Sequence, residues 1–356
     1  MNLSYVLPLR SEAPAVDGEL TEYLRRISGL AEVLVVDGSP PRAFAAHAAA
    51  WGGFVRHLPV DADLVSPNGK VGGVMTGVRH ASHERVVLAD DDVRYDAASL
   101  AAVAAALEDV HVVRPQNYFS PLPWHARWDT GRILLNRVLG GDWPGTLAVR
   151  RSALLATDGY DGSVLFENLE LVRTVVAAGG REELADDVYV LRRPSSQRQF
   201  FDQRVRQAYD ELARPGRMAV QLAVLPAAVT LAKRRRWGWL AAGALGVAAV
   251  AEAGRRKRGA GKVFPASASL MAPLWLLERG VCSWLALGTR VLNGGVRYRD
   301  ARLARAATPE AELRARHAGK LSSTSTSMGL NEPLFDSSAE QAVTPTTMSI
   351  SARSSR

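Results

Sequence analysis

ERVVLADDDVRYD, residues 84–96, opens on a β-rich apolar run and closes on carboxylates. Val86, Val87 and Leu88 have the branched, apolar character of a buried strand. Asp90, Asp91 and Asp92 at its C-terminal end repel one another, and a divalent cation would compensate that repulsion. Side chains alternate along an extended chain, so Asp90 and Asp92 share a face and are the candidate metal ligands. Hard carboxylate oxygens suit Mg²⁺ or Mn²⁺, which keep several waters and bind substrate phosphates. The bland alternative is a solvated turn with an Asp capping the next helix. Asp96 already fits that cap, so the three preceding carboxylates are left for another task.

Outward from this stretch, short β-rich runs alternate with helical patterns. Leu3 to Leu9, Glu32 to Asp37, Gly53 to Leu58, Arg85 to Ala89 and Val110 to Pro115 read as strands. DGELTEYLRRIS, PRAFAAHAAAW, GKVGGVMTGVRHAS and DAASLAAVAAALED, between them, carry helical spacing. The succession predicts an α/β, Rossmann-like domain, a mainly parallel sheet with helices on both faces. In such sheets ligands bind beyond the carboxyl ends of the strands. Asp37, after AEVLVV, is a further carboxylate at a strand end. An Asp-Gly pair is an ordinary turn former; in a nucleotide site the same carboxylate accepts a hydrogen bond from a base or ribose.

The chain is 47% hydrophobic, but the apolar residues concentrate between Met218 and Leu292. Met218 to Ala232 and Trp237 to Ala253 fall somewhat short of the roughly 20 residues that a spanning helix needs. Phe264 to Leu292 is long enough, although Glu278 and Arg279 interrupt it. The formal net charge is +8. Its basic runs, Lys233 to Arg236 and Arg255 to Arg258, sit directly beside apolar segments, where cations pair with anionic headgroups. No nucleic-acid module accompanies the charge, so the expected partner is a membrane and not a nucleic acid. Basic loops on both sides of the middle segment conflict with a simple positive-inside hairpin and leave the topology open. The single cysteine, Cys282, permits no intramolecular disulfide, as in a reducing compartment. MNLSYVLPLR reads as a strand and not as a signal peptide. These features place the protein at the cell membrane with its N-terminal domain facing the cytoplasm.

The expected organisation is an α/β domain over residues 1–215, hydrophobic membrane-associated helices over 216–292 and a basic juxtamembrane segment over 293–307. A disordered tail over 308–356 follows, where Ser, Thr, Glu and Ala dominate. The polar helix QRQFFDQRVRQAYDEL, from Gln197 to Leu212, leads to the first boundary at Pro215 and Gly216.

Taken in order, six marks resemble glycosyltransferase family 2, with the GT-A fold, over roughly Asn2 to Pro215. They are VVDGSP at 35–40, K-x-x-G-x-x-x-G at Lys70 to Gly77, DDDV at Asp90 to Val93, WPGTLAVRRSALLATDGY at Trp143 to Tyr160, FENLEL at Phe166 to Leu171 and QRVRQ at Gln203 to Gln207. The apolar segments followed by VRYRDARL also look like the ceramide-glucosyltransferase-like membrane-anchored bacterial members. The resemblance implies a nucleotide-sugar donor contacted by Asp37, Lys70, Asp90 and Asp91. It implies a divalent metal (Mg or Mn) on Asp90 and Asp92, stabilising the departing nucleoside diphosphate. Gly145 and Thr146 would line the acceptor side, with Arg150 and Arg151 as scaffold. Gln203 and Arg206, three apart on one helix face, would serve the diphosphate or the acceptor; Gln207 stands where the family pattern has Trp. A charged solvated face is the plain alternative for that helix.

FENLEL departs from the pattern. Inverting members carry Glu-Asp here, the Asp being the general base, whereas this chain has Glu167 followed by Asn168. An amide cannot accept the proton. Glu167 and Glu170, at a helix start, are then the candidate bases, with Glu167 preferred. The resemblance implies an inverting, metal-dependent hexosyltransferase acting on a lipid or membrane-proximal acceptor. The competing class is a non-catalytic membrane-bound nucleotide-sugar sensor or scaffold. Nucleotidyl transfer onto a sugar phosphate would start with a Gly-rich phosphate loop after the first strand, where this chain has PLRSEAP. The histidines show no metal-ligand spacing and receive no site.

Overall fold

The computed structural model describes residues 1–298 and 301–321. The strands of the main sheet are β1 (Leu3–Leu9), β2 (Glu32–Asp37), β3 (Arg56–Pro59), β4 (Arg85–Ala89), β5 (Val93–Arg94), β6 (Val112–Phe119), β7 (Thr146–Arg150) and β8 (Glu182–Arg192). Their order across the sheet is β3-β2-β1-β4-β7-β6-β8-β5. The β3-β2-β1-β4 half is parallel, β7 runs antiparallel to both β4 and β6, and β6 and β8 are parallel. Interleaved are the helices α1 (Gly18–Ser28), α2 (Pro41–Trp51), α3 (Gly69–His80), α4 (Ala97–Ala106), α5 (Trp124–Val138), α6 (Arg151–Ala156), α7 (Glu167–Ala177), α8 (Gln197–Asp202) and α9 (Arg204–Tyr209).

The period of two along β1 divides the core. Leu3, Tyr5 and Leu7 face α1 and α4 with Leu24, Ile27, Leu100 and Val103, while Val6 faces α3 and α7 with Val74, Val78 and Val175. Helices therefore cover both faces, as the alternation of patterns predicted. Helix starts obey local chemistry. Asp17 caps α1, Asn68 caps α3, and Asp96 closes a capping box with Ser99 on α4. The spacing K-x-x-G-x-x-x-G has a packing cause: a Cβ on Gly77 would collide with the Val6 side chain. α3 thus lies close on β1, and its first turn points Lys70 at the strand ends.

Two strands have bounds that differ from the sequence expectation: Arg56–Pro59 against Gly53 to Leu58, and Val112–Phe119 against Val110 to Pro115. Phe54 and Val55 donate their amides to Trp51 O in the turn that ends α2, so β3 starts at Arg56 and not at Gly53. β6 runs on to Phe119 because a register shift between Pro115 and Gln116 lets it keep pairing with β8.

The C-terminal part holds α10 (Pro215–Lys233), α11 (Trp237–Arg256), α12 (Ala266–Ser269), α13 (Ala272–Asn293), the hairpin β9 (Val296–Tyr298) and β10 (Ala301–Leu303), and α14 (Glu310–His317). Three segments are long and apolar enough to cross a membrane: Pro215–Lys233, Trp237–Lys262 and Ala266–Asn293. The first two exceed the apolar runs read from sequence because the helices continue into their polar ends. The basic loop after α11 is docked on the α/β domain, where Lys257 and Arg258 pair with Asp186 at 2.8 and 3.0 Å. Arg137 donates to the carbonyls of Gly254 and Lys257, both at 3.0 Å. α13 buries Trp275, Arg279, Cys282 and Ala286 against the domain and leaves Leu277, Val281, Trp284 and Leu285 exposed. Glu278 and Arg279, the interruption in its apolar run, meet Arg204 and Gln207 of α9.

The hairpin β9–β10 returns the chain to the domain, and Leu165 and Phe166 donate to Arg305 and Ala306 carbonyls at 3.0 and 2.8 Å. Thr308 marks a correction. Residues 308–321, expected to belong to a disordered tail, are structured instead, because Glu310–His317 is helical and buries Leu313 against α7. The tail expected over 322–356 lies outside the described residues.

Candidate active site

The carboxyl ends of β1, β2 and β4 open into a cleft of about 700 Å³. Its walls include Lys70 from α3, Asp90, Asp91 and Asp92 after β4, Glu167 from α7, Arg192 from β8, and Gln203, Arg206 and Asp210 around α9. Parallel pairing of β1 with β4 sends both strand ends the same way, which is why the acidic turn lies where a sheet of this type binds ligands.

Cations hold the carboxylates in a network. Lys70 Nζ lies 2.6 Å from Asp90 Oδ1 and 2.6 Å from Glu167 Oε1. Arg192 donates from Nε to Asp92 Oδ2 at 2.9 Å and approaches Asp90 Oδ2 at 3.5 Å. Burial raises the Asp90 pKa, but Lys70 and Arg192 outweigh it and hold the carboxyl below its ordinary value. Asp92 goes the other way: burial, opposed by Arg192 and aided by Asp90, lifts it above the usual range. Lys70 is raised well above its ordinary value, because Asp90 and Glu167 more than offset its burial.

Asp92 Oδ1 is buried and has no hydrogen-bond partner. An orphaned carboxylate oxygen beside a second carboxylate is a hard-oxygen donor set with room for a cation. The residues present thus fit a divalent metal, with Asp90 and Asp92 to hold it.

Gly145 completes the floor. Its amide donates to Asn117 Oδ1 at 2.8 Å, its carbonyl accepts from the Asp90 amide at 2.9 Å, and a Cβ there would lie 2.7 Å from Asp90 Oδ2. A side chain there would push the carboxylate out of its present position.

Other expected site residues lie elsewhere. Asp37 is enclosed: Oδ2 meets His47 Nδ1 at 2.7 Å and His57 Nε2 at 3.0 Å, and Oδ1 accepts from the Ser39 amide at 2.9 Å. Its side chain is 0% exposed, so the base contact expected of it is not available in this conformation; Gly38 lines the cleft instead. Burial raises its pKa, but the hydrogen bonds from His57, Ser39 and His47 bring it well below normal. Asp37, His47 and His57 place ligand atoms within 4.8 Å of one another, a tertiary grouping that sequence spacing does not reveal.

Thr146 is buried below the cleft, donating to Leu88 O at 2.6 Å and meeting Tyr95 Oη at 3.0 Å. Thr146 does not line the cleft, on whose acceptor side it was expected together with Gly145. Glu170 also turns away. It is fully buried, accepts from the Thr308 amide at 2.7 Å and does not line the cleft. Burial raises its pKa, with partial relief from Thr308. Asn168 donates to Pro144 O at 3.0 Å. Arg150 and Arg151 satisfy carbonyls of Leu107 and Val78 at 2.8 and 2.9 Å, a scaffold role.

Arg206 lies 5.1 Å over the Tyr298 ring and faces the cleft with Gln203. Sequence reading passed over Arg192, Asp129 and Asp210. Arg192 sits at the end of a strand not recognised from its sequence, and DEL at 210–212 looks like the polar end of a helix.

No protein-family model matches the chain, and no curated protein matches it. Among solved structures, it is similar to the mannosyltransferase PcManGT from Pyrobaculum calidifontis, in complex with GDP-Man and Mn²⁺. That similarity has 18% identity, covers 93% of this chain and 81% of that one, and has a TM-score of 0.44. Mannosyl-3-phosphoglycerate synthase from Rubrobacter xylanophilus is 15% identical over 56% of this chain and 69% of that one, with a TM-score of 0.37. S. aureus TarS 1-349, in complex with UDP-GlcNAc, is 15% identical over 55% of this chain and 59% of that one, with a TM-score of 0.39.

Proposed function

We propose that this chain is a membrane-attached glycosyltransferase that moves a sugar from a nucleotide-diphosphate donor to a lipid or membrane-proximal acceptor. The observation that carries the reading is the paired strand-end carboxylates Asp90 and Asp92, set in one cleft with Lys70, Arg192 and Arg206. A sugar diphosphate brings several negative oxygens, and a site that stabilises its departure needs cations preorganised around them. Lys70 and Arg192 are held rigidly by the carboxylates they pair with, and Arg206 presents a planar fork to phosphate oxygens. Asp90 and Asp92 would hold a divalent metal, which when bound supplies Lewis-acid stabilisation of the leaving diphosphate.

The acceptor reading follows from the neighbourhood. The cleft is also lined by Arg297 and Tyr298, which directly follow α13, whose outer face is apolar. A hydroxyl carried on a lipid headgroup reaches such a cleft without the lipid leaving the bilayer. We take the transfer to be a single displacement with inversion, as the sequence resemblance implies. In this reading α10 and α11 cross the bilayer and the α/β domain lies on the cytoplasmic side, where nucleotide sugars are available.

The test uses the full chain in detergent or lipid nanodiscs with a panel of radiolabelled nucleotide sugars and membrane lipid extract. Transfer or donor hydrolysis that disappears with a chelator and returns with Mn²⁺ or Mg²⁺ is expected. Tight donor binding with no turnover of any donor would refute the transferase reading in favour of a nucleotide-sugar sensor.

A further inference from the structure

We propose that Asp210 is the proton acceptor of the transfer, the task that Asn168 cannot perform. The inference rests on the glycosyl-transfer reading above. In the step, the acceptor hydroxyl oxygen forms a new bond to the anomeric carbon while the bond from that carbon to the diphosphate oxygen breaks. The breaking bond's electron pair leaves with the nucleoside diphosphate, and the hydroxyl proton passes to the Asp210 carboxylate.

Asp210 opens the short 3₁₀ turn Asp210–Ala213 after α9 and lines the same cleft as Asp90, Glu167 and Arg206. Its Oδ1 is buried and has no hydrogen-bond partner. Leaving a buried acceptor unpaired is costly, and such atoms in folded proteins usually have a use. The other cleft carboxylates are committed. Asp90, Asp92, Asp129 and Glu167 each have a Lys or Arg nitrogen at 2.9 Å or less. Asp91 is exposed on the turn after β4. Glu167, the base expected from sequence, would have to give up Lys70 to take a proton.

The surroundings of Asp210 tune it for this work. The charged groups that act on it include Arg206 of α9, Glu167 of α7, Glu211 of its own turn, Arg279 of α13 and Arg214 just after the turn. Burial has the largest effect, and Glu167 and Glu211 add to it; Arg206 and Arg279 oppose it, leaving the carboxyl pushed up to about 7. A base poised near the working pH gains the most from proton transfer. Arg206, four residues earlier in the same helical stretch, lines the same cleft.

The experiment compares wild type, Asp210→Asn and Asp210→Glu as full chains in nanodiscs, with the donor that the panel identifies. Asp210→Asn should lower kcat by about 10²–10⁴-fold, leave donor KM within a few-fold, and abolish the rise of kcat with pH through about 7. Asp210→Glu should restore part of kcat with a displaced limb, which a merely structural role would not do. An Asp210→Asn protein that keeps wild-type kcat, or keeps the limb, overturns the proposal. A second readout needs no turnover. Infrared difference spectra across neutral pH should show a carboxylic-acid band in wild type that is lost on raising the pH and is missing from Asp210→Asn. Absence of that band overturns the Asp210 assignment alone, whereas a wild type that shows the band but transfers nothing overturns the glycosyl-transfer reading.

Discussion

Replacing Gly145 by alanine isolates the geometry of the cleft from its chemistry. The new Cβ would lie 2.7 Å from Asp90 Oδ2 and 2.9 Å from Arg192 Cζ. Ordinary contact is roughly 3.5 Å, so the Asp90 carboxylate must retreat by about 0.8 Å. Both obstructing atoms end side chains, so the backbone can stay in place, and the stability loss should fall at the low end of the overpacking range, about 1 kcal/mol. Function is less forgiving. A misplacement of about 1 Å at a reacting centre costs on the order of 10²-fold in rate, so kcat/KM should fall about 10–100-fold, or about 1.4–2.7 kcal/mol of transition-state stabilisation. Apparent Mn²⁺ affinity should fall with it, since Asp90 is the group displaced. The assay is steady-state transfer with Mn²⁺ titration on the full chain, alongside thermal unfolding of the same preparation. Wild-type kcat/KM and wild-type Mn²⁺ response would refute the placement of Asp90 at the reacting centre. A large loss of melting temperature would refute the claim that only side-chain ends yield.

Asp92→Asn should abolish metal-dependent turnover, and full activity in the presence of a chelator would remove the metal from the reading. Lys70→Met strands Asp90 and Glu167, whose side chains are 24% and 16% exposed, and should cost about 1–3 kcal/mol at neutral pH. The Asp90 share of that cost comes from a carboxyl held below its ordinary value; it is complete above the ordinary carboxylate range and fades as pH drops through the depressed value, so unfolding curves of the two proteins should converge in acid. Glu170→Gln should keep turnover within about twofold, because Glu170 serves Thr308 and not the cleft. Its folded carboxyl is raised by burial, so its ionisation costs stability above the ordinary Glu range; the variant should match or exceed wild-type stability at neutral pH and lose that gain in acid. Arg204→Met removes the partner of Asp129 at 2.7 Å and Glu278 at 2.5 Å and should cost about 3–5 kcal/mol in unfolding experiments; a loss below 1 kcal/mol would mean the triad is solvated.

What the sequence made legible was local. Val86 to Ala89 and Leu3 to Leu9 carry their strand character in their own residues, and the Asp96 capping box spans only four residues. The acidic turn follows from its strand, since nothing else determines where a strand's end points. Pairing between distant strands was not legible. β7 and β8 are defined by their neighbours, and β8 carries two acidic pairs, Glu182–Glu183 and Asp186–Asp187, that disguise it. Arg192 was lost with it. Asp37 shows the same limit from the other side. Its position at a strand end was clear, but the two imidazoles that enclose it come from 10 and 20 residues downstream. Glu170 and Glu167 sit one helical turn apart, and only the return of the chain at Thr308 separates a buried anchor from a cleft residue.

The long apolar helix α13 and the cleft are mechanically coupled. Arg204 lies in α9 between Asp129 of α5 and Glu278 of α13, and its side chain is 5% exposed. The same helix presents Arg206 to the cleft and ends in the turn that carries Asp210. Below it, Tyr209, Met218, Cys282 and Leu303 form a single apolar cluster drawn from α9, α10, α13 and the hairpin. α13 therefore sets the position of one wall of the site, while its opposite face leaves Leu277, Val281 and Trp284 exposed. An apolar face of that extent stays uncovered in water only at a cost, which lipid removes. A chain cut at residue 215 would keep the sheet, the acidic turn and Lys70, because the buried residues of both core clusters lie within the first 200 residues, with Leu321 packed on the outside of one. It would lose Glu278 from the Arg204 triad and most of the cluster beneath Tyr209, so Arg206 and Asp210 would no longer be held. On the proposed reading, such a fragment should bind donor and metal but transfer poorly; transfer at the full chain's rate would refute the coupling of α13 to the cleft wall.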